Sequence, residues 1–175
     1  MGEGTYHLVT LGCPKNQVDS DKLEGVLVAD GLSSVDQASD ADLIVVNTCA
    51  FIEDARRESV DTVLALADQQ RDGARLVVTG CMAERYGDEL ASVLPEVDRV
   101  AGFGVPVTLG RRPDAPTPEP PSFDLLNLPR PAAARPWAYV KVAEGCDRSC
   151  GFCAIPTFRG PQRSRTAASI LDEVD

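Results

Sequence analysis

The first hundred residues predict an α/β fold built on an open parallel sheet. Two observations carry this. From Thr5 to about Gly104, short apolar runs alternate with longer amphipathic stretches, the pattern of strands each followed by a covering helix. The first three runs also end alike, each passing directly into a cysteine, in LVTLGCPKN, LIVVNTCAF and LVVTGCMAE.

Taken in order, strands are expected at Tyr6 to Leu11, Leu43 to Asn47 and Leu76 to Thr79, with a shorter one at Arg99 to Ala101. The first helix is expected from about Asp19 to Asp30, with Leu23, Val26 and Leu27 on its buried face and Gly31 as its stop. A second places Val60, Val63, Leu64 and Ala67 at i, i+3, i+4 and i+7 and ends before Gly73. A third, shorter helix carries Leu90, Val93 and Leu94 and is closed by Pro95. Residues 1–104 thus read as one Rossmann-like domain.

Eight of the thirteen prolines lie in RRPDAPTPEPPSFDLLNLPRPAAARP, between Arg111 and Pro136. That density sustains neither a helix nor a central strand, so residues 105–136 read as a linker, with a short docked piece around Phe123 to Leu128. Beyond it, Ala138 to Val142 is expected as a strand, a cysteine-rich loop follows, and Ala167 to Val174 opens a helix. One strand, one loop and one nascent helix cannot close a core, so residues 137–175 read as the start of a second domain, cut off early.

Composition narrows the class. With 17 basic and 27 acidic residues the net charge is −10, which repels a polyanion. The exception is the stretch from Glu144 to Arg165, where Arg148, Arg159, Arg163 and Arg165 outnumber Glu144 and Asp147. No run approaches the roughly 20 apolar residues that cross a bilayer, and Met1-Gly2-Glu3-Gly4-Thr5 lacks the regions of a secretory signal. A cytoplasmic protein is expected. In that compartment six cysteines point to metal or catalytic roles rather than disulfides. The single histidine, His7, argues against mixed Cys/His zinc sites.

Cys146-Asp-Arg-Ser-Cys150-Gly-Phe-Cys153 places three thiols within eight residues. On a helix they would share one face, but Gly145, Gly151 and Pro156 favour a loop wrapped around a metal. Three thiolates leave one iron of a 4Fe-4S cluster open to a further ligand. A zinc site would instead need a fourth ligand from elsewhere in the fold.

This Cys-x3-Cys-x2-Cys pattern, with the aromatic Phe152 before its last cysteine, resembles the signature of the radical S-adenosylmethionine (SAM) superfamily. The resemblance implies that Cys146, Cys150 and Cys153 hold a 4Fe-4S cluster whose open iron binds SAM, with Phe152 as a candidate SAM contact. It also implies reductive cleavage of SAM to a 5'-deoxyadenosyl radical, and makes residues 137–175 the first βα unit of a partial TIM barrel.

Cys13, Cys49 and Cys81 are far apart in sequence, yet each follows the C-terminal end of an expected strand. In an open parallel sheet those ends share one edge, where ligands bind. The bland alternative is three small buried apolar side chains. LGCPKNQVDSD, VNTCAFIEDARRES, VTGCMAERYGDELASVLPEVD and AYVKVAEGCDRSCGFCAIPTFRGPQRSR are similar, block by block and in order, to the methylthiotransferases, and most like the RimO-type enzymes of ribosomal proteins. The resemblance implies an auxiliary 4Fe-4S cluster on Cys13, Cys49 and Cys81 whose open iron carries the transferred sulfur. One SAM methylates that sulfur and another activates a substrate C–H bond.

Pro14-Lys15-Asn16 matches the branch that methylthiolates the β-carbon of an aspartate in small-subunit ribosomal protein number twelve, at the decoding centre. The tRNA-adenosine branch is the alternative, and an iron-sulfur or zinc module without radical chemistry is the alternative of another class. Without the resemblance, Lys15 and Asn16 read as a solvated turn that caps a helix. Arg159, Arg163 and Arg165 are left unassigned between a SAM carboxylate, a substrate acid, an RNA phosphate and simple solvation. The family further implies an electron donor such as flavodoxin or ferredoxin, a monomer, and a barrel and C-terminal β-barrel that these residues lack. The chain alone is expected to be inactive.

Overall fold

The computed structural model describes residues 4–109, 125–128, 130–131 and 136–175. Five strands form one parallel sheet: β1 (Thr5–Thr10), β2 (Ser33–Ser34), β3 (Leu43–Thr48), β4 (Arg75–Gly80) and β5 (Arg99–Ala101), in the order β2-β1-β3-β4-β5. All four pairings are parallel, with Tyr6 opposite Leu43 and Leu43 opposite Arg75 setting the central register. Every residue of β3 is buried, as expected of a central strand covered on both faces.

The two-residue period of the strands sorts their side chains into two cores. Ile44, Val46, Leu76 and Val78 face one layer with Val63, Leu66 and Leu90. Leu43, Val45 and Val77 face the other with Leu23, Leu27 and Val107. The first layer belongs to α2 (Glu53–Ala67) and α3 (Cys81–Val93), the second to α1 (Pro14–Ala29). The open α/β fold read from the pattern is therefore the one observed.

Three details differ. Helix α1 starts at Pro14 rather than near Asp19, because Asn16, Asp19, Ser20 and Lys22 are buried polar residues that hide the helical period of its first turns. A proline at the start of a helix costs nothing, since that N–H has no intrahelical partner. Leu64 and Val93, expected in the core, are exposed, and Leu66 takes the core position on α2. On α3 the helical geometry breaks at Gly87, φ 27°, and of the three apolar positions expected there Leu90 and Leu94 turn inward, beside the buried Cys81, Met82 and Ala83 of its first turn.

Residues 138–142 do not form the expected strand. Among the described residues no strand lies beside them to complete a ladder, and pairing is confined to β6 (Ala143–Glu144) and β7 (Arg163–Ser164), an antiparallel pair. Between these lies α4 (Ile155–Arg159), and α5 (Ala167–Val174) follows with the bounds read from the sequence. The segment docks on the sheet domain through Phe158, which joins the core cluster that also holds Val46, Cys81 and Met82. Of the docked piece expected before it, Phe123 lies outside the described residues, while Leu125 and Leu126 are buried.

Candidate metal centre

Cys13, Cys49 and Cys81 follow three neighbouring strands, β1, β3 and β4. Cys13 caps the start of α1, and Cys81 is the first residue of α3. Two glycines allow this close approach. At Gly12 (φ 91°) a side chain would meet the Cys49 Cβ at 2.7 Å and its Sγ at 2.9 Å, so the loop carrying Cys13 lies directly on Cys49. At Gly80 (φ 91°) a Cβ would stand 2.3 Å from Asn47 Oδ1 and 2.6 Å from the Thr48 carbonyl. Only glycine reconciles that dihedral and that space.

The three loops are tied by Asn16. Its side chain is fully buried and donates to the carbonyls of Leu11 (2.8 Å) and Thr48 (3.0 Å). Its Oδ1 accepts from the Cys81 thiol at 3.5 Å and from Arg159 Nη2 at 2.7 Å. Its main-chain carbonyl accepts from Asn47 Nδ2 at 2.9 Å. Asn16 is thus a tertiary staple, and the solvated capping turn expected from the sequence is not what forms. Lys15 is likewise engaged, by Glu144 at 3.3 Å.

Arg159 reaches this edge from the second segment. It is buried, with its guanidinium carbon over the Phe103 ring, 4.5 Å from the centroid. One guanidinium nitrogen donates to Asp19 Oδ2 (2.9 Å) and Glu144 Oε2 (2.8 Å), the other to Asn16 and to Cys81 Sγ (3.1 Å). Lys141 also pairs with Asp19, and with Glu144 at 2.6 Å. Burial opposes ionisation of Glu144, but Arg159 and Lys141 outweigh it and hold the carboxyl down to about 2. Burial likewise disfavours the Arg159 charge, yet Asp19, Cys81 and Glu144 together raise its pKa. At Cys81 burial wins and the thiol is pushed up, against the pull of Arg159.

The local basic excess read from the sequence is therefore partly cancelled. Arg159 is inside this network, and Arg165 is paired with Glu173. Glu173 also faces the fully buried Lys22, whose ammonium donates to the Leu126 and Leu128 carbonyls at 2.8 and 3.0 Å. Sequence reasoning gave no site role to Asp19, Lys22, Lys141 or Glu144.

The other cysteine set is a loop. Cys146, Cys150 and Cys153 lie outside any helix. At its base Gly145 (φ 75°) packs on the Gly160 and Pro161 backbone, and Cys146 N donates to the Gly160 carbonyl at 3.0 Å. A turn closes it, with Cys153 N donating to the Cys150 carbonyl at 3.1 Å. Cys150 is exposed and Phe152 is 90% exposed. All six cysteines are free, and thiolates are the donors that suit iron-sulfur clusters. Among the described residues, no three His, Cys, Asp or Glu side chains are placed to hold a metal ion. Nor is any helix there long and apolar enough to cross a membrane.

Residues 5–102 match the family described as Uncharacterized protein family UPF0004. The chain is also similar to curated proteins named ribosomal protein uS12 methylthiotransferase RimO. That of Myxococcus xanthus is 46% identical over 178 residues, 97% of this chain and 37% of that protein. Those of Desulfosudis oleivorans and Thermotoga maritima are 46% and 43% identical, over 95% and 94% of this chain and 41% and 40% of theirs. The chain thus spans about two-fifths of the length of these relatives.

Proposed function

The chain belongs to the UPF0004 family, and from that premise we propose that it is the N-terminal, cluster-bearing part of a radical-SAM methylthiotransferase acting on an aspartate of ribosomal protein uS12. In this reading Cys13, Cys49 and Cys81 hold one 4Fe-4S cluster, and Cys146, Cys150 and Cys153 hold a second that binds SAM. When bound, the clusters and SAM supply the electron, the sulfur and the methyl group. The reaction would take place in the cytoplasm, where thiols stay reduced.

The observation that carries the proposal is that three free cysteines, 36 and 32 residues apart in sequence, follow the ends of three adjacent strands. The likeness to enzymes so named supports the substrate. The chain's own residues would shape the site. Gly12 and Gly80 let the loops approach, Asn16 fixes their spacing, and the buried setting of Cys49 and Cys81 keeps water from those thiols. The open loop leaves Phe152 at its rim, where it can meet SAM.

Anaerobic reconstitution, with iron counting and EPR with and without SAM, tests the chemistry. A cluster spectrum indifferent to SAM would sink the radical-SAM reading and favour a closed metal module. Unchanged iron content in Cys13→Ala, Cys49→Ala and Cys81→Ala variants would return those thiols to plain packing. Mass spectrometry of a deletion strain decides the substrate: the methylthio mark should vanish from uS12, and its loss from tRNA instead would identify the tRNA branch. Asn16 is held inside the fold by two main-chain carbonyls, and Lys15 reaches Glu144 at 3.3 Å, so neither side chain is shown free to read a substrate.

A further inference from the structure

We propose that Arg159 is a positioning residue that joins the two cysteine sets and sets the reduction potential of the cluster held by Cys13, Cys49 and Cys81. The proposal rests on the reading that those three cysteines hold a cluster. It starts from one connection: the guanidinium donates to Cys81 Sγ at 3.1 Å, while the carbonyl of the next residue, Gly160, accepts from Cys146 N at 3.0 Å. Two consecutive residues therefore grip one cysteine of each set.

The grip is braced on every side. Glu144 accepts from Arg159 at 2.8 Å, and its other oxygen accepts from Gly145 N at 3.1 Å, the residue before Cys146. Asp19 holds the same guanidinium nitrogen from α1, Asn16 holds the nitrogen that touches Cys81, and the Phe103 ring lies 4.5 Å from the guanidinium carbon. With the side chain buried, little freedom remains for the fork to leave the sulfur. A planar guanidinium can serve these partners at once, whereas a lysine ammonium is a single point.

A cation and N–H donor at a ligating sulfur withdraws electron density from it and stabilises the reduced cluster. Hydrogen bonds to the sulfurs are one of the levers that set iron-sulfur potentials. Arg159 should accordingly hold the potential of this cluster above the value the same three thiolates would give alone.

The test is a potentiometric EPR titration of reconstituted protein carrying Cys146→Ala, Cys150→Ala and Cys153→Ala, so that one cluster reports. Arg159→Gln should make the midpoint more negative. At fixed solution potential the reduced-to-oxidised ratio should fall by about tenfold, about 59 mV for a one-electron couple. Arg159→Lys, which keeps the charge and loses the fork, should shift it the same way by less. If Arg159→Gln does not fold, Arg159→Lys and Phe103→Leu, which removes only the ring under the guanidinium, carry the comparison. A midpoint unchanged in the variants that load iron would overturn the proposal and leave Arg159 a structural tie. If the triple-alanine parent binds no iron, the cluster reading itself fails, and the inference falls with it.

Discussion

Cys49 and Cys81 lie at the ends of buried strands, each less than a tenth exposed, whereas Cys150 and Phe152 stand in the open on an irregular loop. The first set is scattered along the chain and owes its proximity to the sheet, to Asn16 and to two glycines. The second carries its proximity in its spacing and meets the fold at its two ends, where Gly145 packs on Gly160 and where Ala154 and Ile155 pack against the core. A scattered set is thus hostage to tertiary stability, and a local set is not. The contrast matters for any chemistry that uses both, because damage to the sheet would remove one site before the other.

The sharpest way to break this contrast is to add one methyl group to a glycine in each region. Gly80→Ala forces a Cβ to within 2.7 Å of three atoms, two of them in the Thr48 backbone, at φ 91°. Urea unfolding should show a loss of about 4 kcal/mol or more. Gly151→Ala meets nothing within 4 Å, and should stay within about 0.5 kcal/mol of wild type. Equal losses would mean that the loop is as tightly specified as the sheet edge.

Next in size is Asn16→Ala, which strips a buried amide from two carbonyls, Arg159 and Cys81 at once. The loss should be roughly 3 kcal/mol, since the groups left behind stay buried and unsatisfied. Alkylation followed by mass spectrometry should show Cys81 modified faster in the variant, with Cys150 unaffected. If both cysteines kept their wild-type rates, Asn16 would not be the staple of the first set.

The same contrast explains what the sequence made legible. Strand and helix positions follow from local period and punctuation, so the sheet, its three terminal cysteines and the loop before α4 could be read directly. Charged residues could not, because a charge is ordinarily solvated. Asp19 and Arg159 are 140 residues apart, and Asp19 and Lys141 are 122 apart. Nothing local to Asp19 announces that cations will arrive to pay for its burial. Lys22 is hidden for the same reason, its partners being the carbonyls of Leu126 and Leu128 beyond the proline-rich stretch. The start of α1 was misplaced by these same residues, whose polar character masked a buried face.

A smaller effect isolates the sheet from the loop by pH. Tyr6, in β1, is fully packed and donates to Glu24 at 3.0 Å. Burial, then this hydrogen bond and the Glu24 charge, raise its hydroxyl to about 12. The folded state therefore keeps a proton that the unfolded chain releases near pH 10. Stability from this group is intact below pH 10 and is lost as pH climbs through 12, on the order of 2 kcal/mol in all. Unfolding curves of wild type and Tyr6→Phe should diverge in slope against pH across that window. Parallel curves would show that Tyr6 ionises in the folded sheet as readily as in the unfolded chain.

The least effect on stability is expected at Phe152. Its ring is 90% exposed and belongs to neither hydrophobic cluster, so Phe152→Ala should change unfolding by no more than about 0.5 kcal/mol. An exposed aromatic with no packing role is a large apolar surface left available, and its place between Cys150 and Cys153 puts that surface on the cysteine loop. If the loop holds the proposed SAM-binding cluster, Phe152→Ala should weaken SAM binding to the reconstituted protein, measured by equilibrium dialysis, while leaving iron content and melting temperature unchanged. A lowered melting temperature would mean that the loop, despite its exposure, is part of the fold's cooperative unit, and the two regions would be less different than their burial makes them.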